Sequence, residues 1–247
     1  DPRRSEITVD DSDLNIADLI PRHSCVITVS NTGYIKRVPA DTYRTQHRGG
    51  KGIIGMETKE EDYVEHLFNA DSHDLIFFFT DRGFMYWLNV YEIPEGSRTG
   101  KGKAIVNMIK VEPGEKICAM LTVSPDEFDD PNKYIVMASR RGYIKKSELA
   151  LFKNLRRVGL RALVIEEDDD LIGAGISENG NEILLSTRLG MACLFDQDDE
   201  QIRPMGRTAR GVTGMRFKIE GDSVVSLEII REHLYEEPAE DEEGEEV

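Results

Sequence analysis

The stretch VITVSNTGYIKRV (26–38) places two runs of strand-forming residues on either side of Ser30-Asn31-Thr32-Gly33. Apolar residues in short runs, broken by a polar turn that ends in glycine, predict a β-hairpin whose turn needs a positive φ at Gly33. The same arrangement returns as LIFFFTDRGFMYWL (75–88), YIVMASRRGYIKKS (134–147) and ILLSTRLGMACLF (183–195). In each case the turn has the form Ser/Thr-x-x-Gly. The turn glycines Gly33, Gly83, Gly142 and Gly190 are 50, 59 and 48 residues apart. Self-similarity at this period indicates an array of like units, not a chain of unrelated domains.

Outward from each hairpin the pattern continues. A polar connection leads to a short basic segment: HRGGKG (47–52), SRTGKGK (97–103), LRRVGLR (155–161) and GRTARG (206–211). Arg48, Arg98, Arg156 and Arg207 are taken as its leading arginines. An apolar strand follows, such as Ala104-Ile105-Val106 or Ala162-Leu163-Val164-Ile165. An acidic turn then leads to a fourth strand: His66 to Ala70, Ile117 to Val123, Leu171 to Ile176 and Val224 to Ile230. Four strands per repeat is the size of a propeller-like blade, so the expected fold is all-β, with four repeats at about 25–74, 75–133, 134–182 and 183–234. Helical periodicity is confined to single turns at Asp41–Gln46, Glu61–Leu67 and Ser147–Leu155. Residues 1–24 form an acidic lead-in with one candidate strand at Glu6–Val9. Residues 236–247 hold eight acids and no base, and are expected to be a disordered tail.

The net charge of −16 is distributed unevenly. Without the tail, residues 1–235 hold 31 bases against 39 acids. Electrostatic attraction to phosphate is local, because charge is screened over roughly 10 Å. Overall acidity therefore restricts polyanion binding to a stripe and does not forbid it. Cys25, Cys118 and Cys193 each sit among apolar neighbours without metal-ligand spacing, as expected of buried thiols in a reducing compartment. No apolar run approaches the ~20 residues that span a bilayer, and a cytoplasmic location without membrane partners is expected.

The sequence lacks a nucleophile elbow, a Walker loop and a dinucleotide fingerprint. The acidic runs Glu166–Asp170 and Asp126–Asp130 lack calcium-loop spacing and read as solvated turns. Tyr86 and Trp87 read as packing residues. The chemistry points to binding without catalysis. In Gln46-His47-Arg48-Gly49-Gly50-Lys51-Gly52, three glycines in four positions let the backbone approach an anion and expose N–H groups as a nest. Arg48 and Lys51 supply charge, and Gln46 supplies hydrogen bonds to sugar or phosphate. Like segments at matching repeat positions predict a basic track for double-stranded DNA. It includes Arg37, Arg44, Arg98, Lys101, Lys103, Arg156, Arg157, Arg161, Arg207 and Arg210, with Arg82, Arg140, Arg141, Lys145, Lys146 and Arg216 as extensions. A propeller-like module binding an acidic protein is the alternative from another class.

QHRGGKG (46–52) resembles the signature box of the C-terminal domain that DNA gyrase carries on its A subunit. TVSNTGYIKRVPADTYRTQ before it, GMETKEEDYVEHL after it, YEIPEGSRTGKGKAIVN and MGRTARGVTGMR are similar too. The resemblance, from Arg3 to about Glu232, implies a β-pinwheel over residues 25–235 whose blades exchange strands and whose outer edge wraps DNA. It implies that the domain sets the handedness used for negative supercoiling. ATP, magnesium and the DNA-cleaving tyrosine are implied only for the whole enzyme, and no cofactor is expected here. Implied partners are the gyrase B subunit, together with the rest of the A subunit, in a bacterial, nucleoid-associated setting. Two departures stand out. His47 replaces a permanently charged box residue, and four repeats replace the usual six, which suits an open spiral that wraps less DNA. The corresponding domain of topoisomerase IV, often with fewer blades and lacking an intact box, is the nearest rival.

Overall fold

The computed structural model describes residues 16–43, 48–50, 52, 56, 62–154 and 158–231. The chain divides into two compact units, one of residues 1–74 with 89–104, the other of 75–88 with 105–247. Among the described residues the regular structure consists of β-strands and short 3-10 turns.

The first unit holds one four-stranded antiparallel sheet. Strands β1 (Ser24–Ser30) and β2 (Tyr34–Pro39) are the predicted hairpin, with Cys25 opposite Pro39 and Val29 opposite Ile35. β3 (Val64–Asp71) pairs with the far edge of β1. Val64–Leu67 are therefore strand and not the helical turn expected at 61–67. Pairing with the buried strand outweighs a weak local periodicity here. Cys25, Ile27 and Val29 alternate into the interior and are at most 2% exposed.

The second unit carries three further sheets. β4 (Leu75–Thr80) and β5 (Phe84–Asn89) form the second hairpin, and β7 (Ile117–Val123) joins β4. β8 (Lys133–Ser139) and β9 (Tyr143–Glu148) form the third, flanked by β11 (Leu171–Glu178). β12 (Glu182–Thr187) and β13 (Ala192–Asp196) form the fourth, flanked by β15 (Val224–Ile230). Leu75, Phe77 and Phe79 pack with Ile135, Met137 and Leu171 in one buried cluster. Val136, Ala138 and Ile144 pack with Ile183 and Leu185 in another. The turn glycines Gly33, Gly83, Gly142 and Gly190 all take positive φ, between 77° and 87°, as their position requires.

The strands after the second, third and fourth basic segments depart from expectation. β6 (Lys103–Ala104) pairs with β2, β10 (Leu160–Arg161) with β5 and β14 (Val212–Thr213) with β9. Each belongs to one repeat in sequence but completes the sheet of the repeat before it. These strands are only two residues long. Ile105–Asn107 is a 3-10 turn, and Ala162 and Leu163 leave the ladder to donate their amides to the Gly83 carbonyl. The fourth sheet has three strands among the described residues, β13-β12-β15.

Candidate nucleic-acid interface

The second and fourth basic segments are each built as a tight turn. The Gly100 amide donates to the Ser97 carbonyl at 3.1 Å, and the Ala209 amide donates to the Gly206 carbonyl at 3.1 Å. The turn tips are Arg98-Thr99 and Arg207-Thr208, and Arg48-Gly49 forms the matching turn of the first repeat. Arg48, Gly49, Gly50 and Gly52 are exposed. In the second, third and fourth basic segments, Gly102, Gly159 and Gly211 bring the chain back against the preceding hairpin. A Cβ at Gly102 or Gly211 would lie 2.4 Å from the carbonyl oxygen of Ile35 or Ile144. Both have positive φ, so no other residue fits without strain.

These glycines correct the register read from sequence. Four residues upstream of Gly52, Gly102 and Gly211 stand Arg48, Arg98 and Arg207, but four upstream of Gly159 stands Leu155. The arginine supposed to lead the third segment, Arg156, is one position out of phase. Arg156 and Arg157 themselves lie outside the described residues, as do Arg44, Gln46, His47, Lys51 and the acidic tail.

Cations beside the turns rest on aromatic rings of the preceding hairpin. Lys101 Nζ lies 4.0 Å over the Tyr34 ring, Arg161 4.3 Å over Phe84 and Arg210 3.9 Å over Tyr143. Tyr34, Phe84 and Tyr143 each directly follow a turn glycine. Lys101 and Arg210 occupy one repeat position. In the third segment that position is Val158, 71% exposed, and Arg161 supplies the ring-stacked cation instead. Such stacking holds a cation in place by attraction to the ring face. Lys103 is exposed on β6.

Other expected contact residues are engaged elsewhere. Arg37 donates to Glu95 at 2.8 Å and to the Ile93 carbonyl at 2.8 Å, and its side chain is 13% exposed. Arg141 pairs with Asp168 at 2.7 Å, Arg140 with Asp170 at 3.2 Å, and Arg210 also reaches Glu166 at 2.6 Å. Lys145 and Lys146 are fully buried, and Lys146 donates to the Gln197 carbonyl and to Asp199. As extensions of a surface track, Lys145 and Lys146 are therefore misplaced. β9 turns both ammonium groups inward onto backbone carbonyls. Arg82 and Arg216 are exposed.

The acidic segments are not simply solvated. Asp169 is 7% exposed and accepts hydrogen bonds from Ser139 Oγ at 2.6 Å and the Arg141 amide at 2.9 Å. Asp222 does the same for Thr187 and Leu189, and Asp62 for Thr32. Glu115 accepts from Thr80 and from Tyr86, whose phenol burial and the facing carboxylate push up to about 12. These acids recur 53, 54 and 53 residues apart. That spacing was visible in the sequence, hidden only because each acid sits among others. They close the hairpin turns.

Blade-like sheets repeated in this way, completed by strands from the following repeat and carrying glycine-anchored basic turns, match one known family. The sequence profile described as the DNA gyrase C-terminal domain, β-propeller, matches residues 26–71, 74–124, 133–178 and 181–231. This chain belongs to that family. The gyrase A subunit of Mycobacterium tuberculosis is 41% identical over 235 residues, covering 95% of this chain and 28% of that protein. Its Clostridium acetobutylicum counterpart is 42% identical over 214 residues, covering 87% and 25%. The chain thus spans about a quarter of the length of these relatives. Among solved structures, the C-terminal domain of DNA topoisomerase IV superimposes with a TM-score of 0.70 at 27% identity, covering 85% of this chain and 62% of that one. The DNA gyrase A C-terminal domain does so with a TM-score of 0.63 at 25% identity, covering 83% and 64%.

Proposed function

We propose that this chain binds double-stranded DNA through its basic turns and wraps it, and so sets the handedness of the crossing that a gyrase uses for negative supercoiling. The carrying observation is the recurrence of one turn, arginine at its tip, at Arg48, Arg98 and Arg207. Ring-held Lys101, Arg161 and Arg210, exposed Lys103 and the glycines 49, 50 and 52 extend the contact, with Gln46, His47, Lys51 and Arg44 contributing by resemblance and Arg156 and Arg157 as bases of the third basic segment. Arg37 braces the Pro94–Gly96 segment instead. Backbone amides and guanidinium groups recognise phosphate, which is the same in every sequence. The 3-10 turns among the described residues reach at most five residues, too short to read a groove. Binding is therefore sequence-independent. The domain does no bond chemistry, and ATP, magnesium and strand passage belong to the gyrase B subunit together with the rest of the A subunit.

Relaxed nicked circles ligated in the presence of increasing amounts of the chain test this. A progressive shift in linking number, lost when Arg48, Arg98 and Arg207 are replaced by alanine, is expected. Binding without a shift favours a topoisomerase IV-type role, a reading that the TM-score of 0.70 to that domain supports. Salt-insensitive, weak binding leaves the protein-interaction reading.

A further inference from the structure

Lys36 and Lys145 occupy the same place in the first and third hairpins, three residues after the turn glycine, and both are fully buried. Among the described residues neither ammonium meets a carboxylate. Lys36 Nζ donates to the carbonyl oxygens of Ser97 at 3.0 Å and Arg98 at 2.5 Å. Lys145 Nζ donates to those of Gly206 at 3.2 Å and Arg207 at 2.6 Å, and also to those of Ala162 and Ala209. Relative to each turn these are the same first two carbonyls.

A buried ammonium is costly, and an apolar side chain of like volume would fill the site more cheaply. The geometry shows what the charge does. In a trans peptide the N–H points opposite the C=O. Drawing the Arg98 and Arg207 carbonyls inward turns the Thr99 and Thr208 amides outward, at the tips of the two turns. An outward amide beside an arginine is the element of an anion nest. The second hairpin carries Tyr86 at the equivalent position. Its ring packs against Gly159 of a segment that has Leu155 where the others have arginine. Lysine beneath the turn and arginine at its tip occur together in the two turns so built.

We infer that Lys36 and Lys145 are positioning residues for DNA phosphate, each holding the next basic turn with its amide edge facing outward. This rests on the DNA-binding reading and adds a role for side chains that never reach the surface.

The test uses the 247-residue chain with Lys36→Met and, separately, Lys145→Met. Methionine fills the channel without the charge. Amide exchange at Gly100 in the first variant and at Ala209 in the second, whose N–H groups close the turns onto the Ser97 and Gly206 carbonyls, is expected to quicken about tenfold, and duplex affinity to fall about tenfold, the loss that follows removal of a charge-assisted hydrogen bond. In an Arg207→Ala background, Lys145→Met is expected to cost little more, because both act through one turn. Unchanged exchange at Gly100 and Ala209, or additive losses with Arg207→Ala, overturns the inference. If the wild-type chain does not bind duplex DNA, the DNA reading fails by itself, while exchange at Gly100 and Ala209 still reports whether the lysines hold the turns. Should one variant not fold, the other decides, because the two sites lie in separate hairpins.

Discussion

Ser139 donates a 2.6 Å hydrogen bond to Asp169, a carboxylate 30 residues further along the chain. The bond joins the start of a hairpin turn to the segment that enters the flanking strand, and the fourth repeat reproduces it as Thr187 with Asp222. Replacing Asp169 by alanine is expected to leave the Ser139 hydroxyl and Arg141 amide without a buried partner. The cost should be about 1–3 kcal/mol, read as a lowered urea midpoint.

Acid sensitivity follows from the same clamps. Burial raises the pKa of Asp62 and Asp222, but hydrogen bonds to Asp62 from Thr32 and to Asp222 from Thr187, Leu189 and Ser223 more than offset it, holding both carboxyls below the usual range. A carboxyl with a depressed folded pKa stabilises the fold above its unfolded value, about 3.9, and that contribution is lost as pH falls through the folded value. Thermal scans from pH 6 to 2 are expected to show a steeper loss for wild type than for Asp222→Asn. Parallel curves refute the assignment.

Duplex affinity should fall steeply with salt, since released counterions drive phosphate binding. Arg98→Ala and Arg207→Ala should each weaken binding uniformly across sequences and reduce the salt slope by about one. A change in sequence preference without a change in slope contradicts phosphate contact.

The ring-stacked cations give a separate handle. Tyr34→Leu and Tyr143→Leu keep hydrophobic volume but remove the surface over which Lys101 and Arg210 rest. A surface cation–π contact contributes roughly 0.5–1 kcal/mol, so affinity should drop about two- to fivefold in fluorescence titrations. No loss means that the rings serve packing alone.

Lys145 links affinity to pH. Burial first, and then the facing positive charge of Arg207, lower its pKa to about 8. A nearby polyanion favours the protonated form, so affinity should be full below pH 8 and decline as pH rises through it. For the free chain the sign is opposite. A lysine whose folded pKa is lowered adds stability as pH climbs from about 8 towards its ordinary value near 10.4. Titrations from pH 7 to 9.5 should show both trends in wild type and neither in Lys145→Met.

The hairpins were legible because alternation and a turn glycine are local signals, and β1–β2, β4–β5, β8–β9 and β12–β13 form where the pattern puts them. Strand exchange was not legible from periodicity, since two-residue strands such as Leu160–Arg161 have no period to detect. Partner choice there is made by a glycine packed against the neighbouring hairpin. Arg156 was misjudged because arginines were aligned with arginines, whereas the backbone aligns on Gly159. The buried roles of Lys145 and Asp169 escaped notice because a charged residue beside other charges reads as solvent-facing until its partner, far away in sequence, is known.

The borrowed strands β6, β10 and β14 give the array a direction. Local opening of a repeat strips backbone hydrogen bonds from the sheet that precedes it and removes none of the ladder of the sheet that follows. In ladder terms, then, damage spreads towards the N-terminus and not the reverse. Of two equally disruptive lesions, one in the fourth repeat frays the third sheet through β14, while one in the third leaves the fourth sheet's own three strands paired.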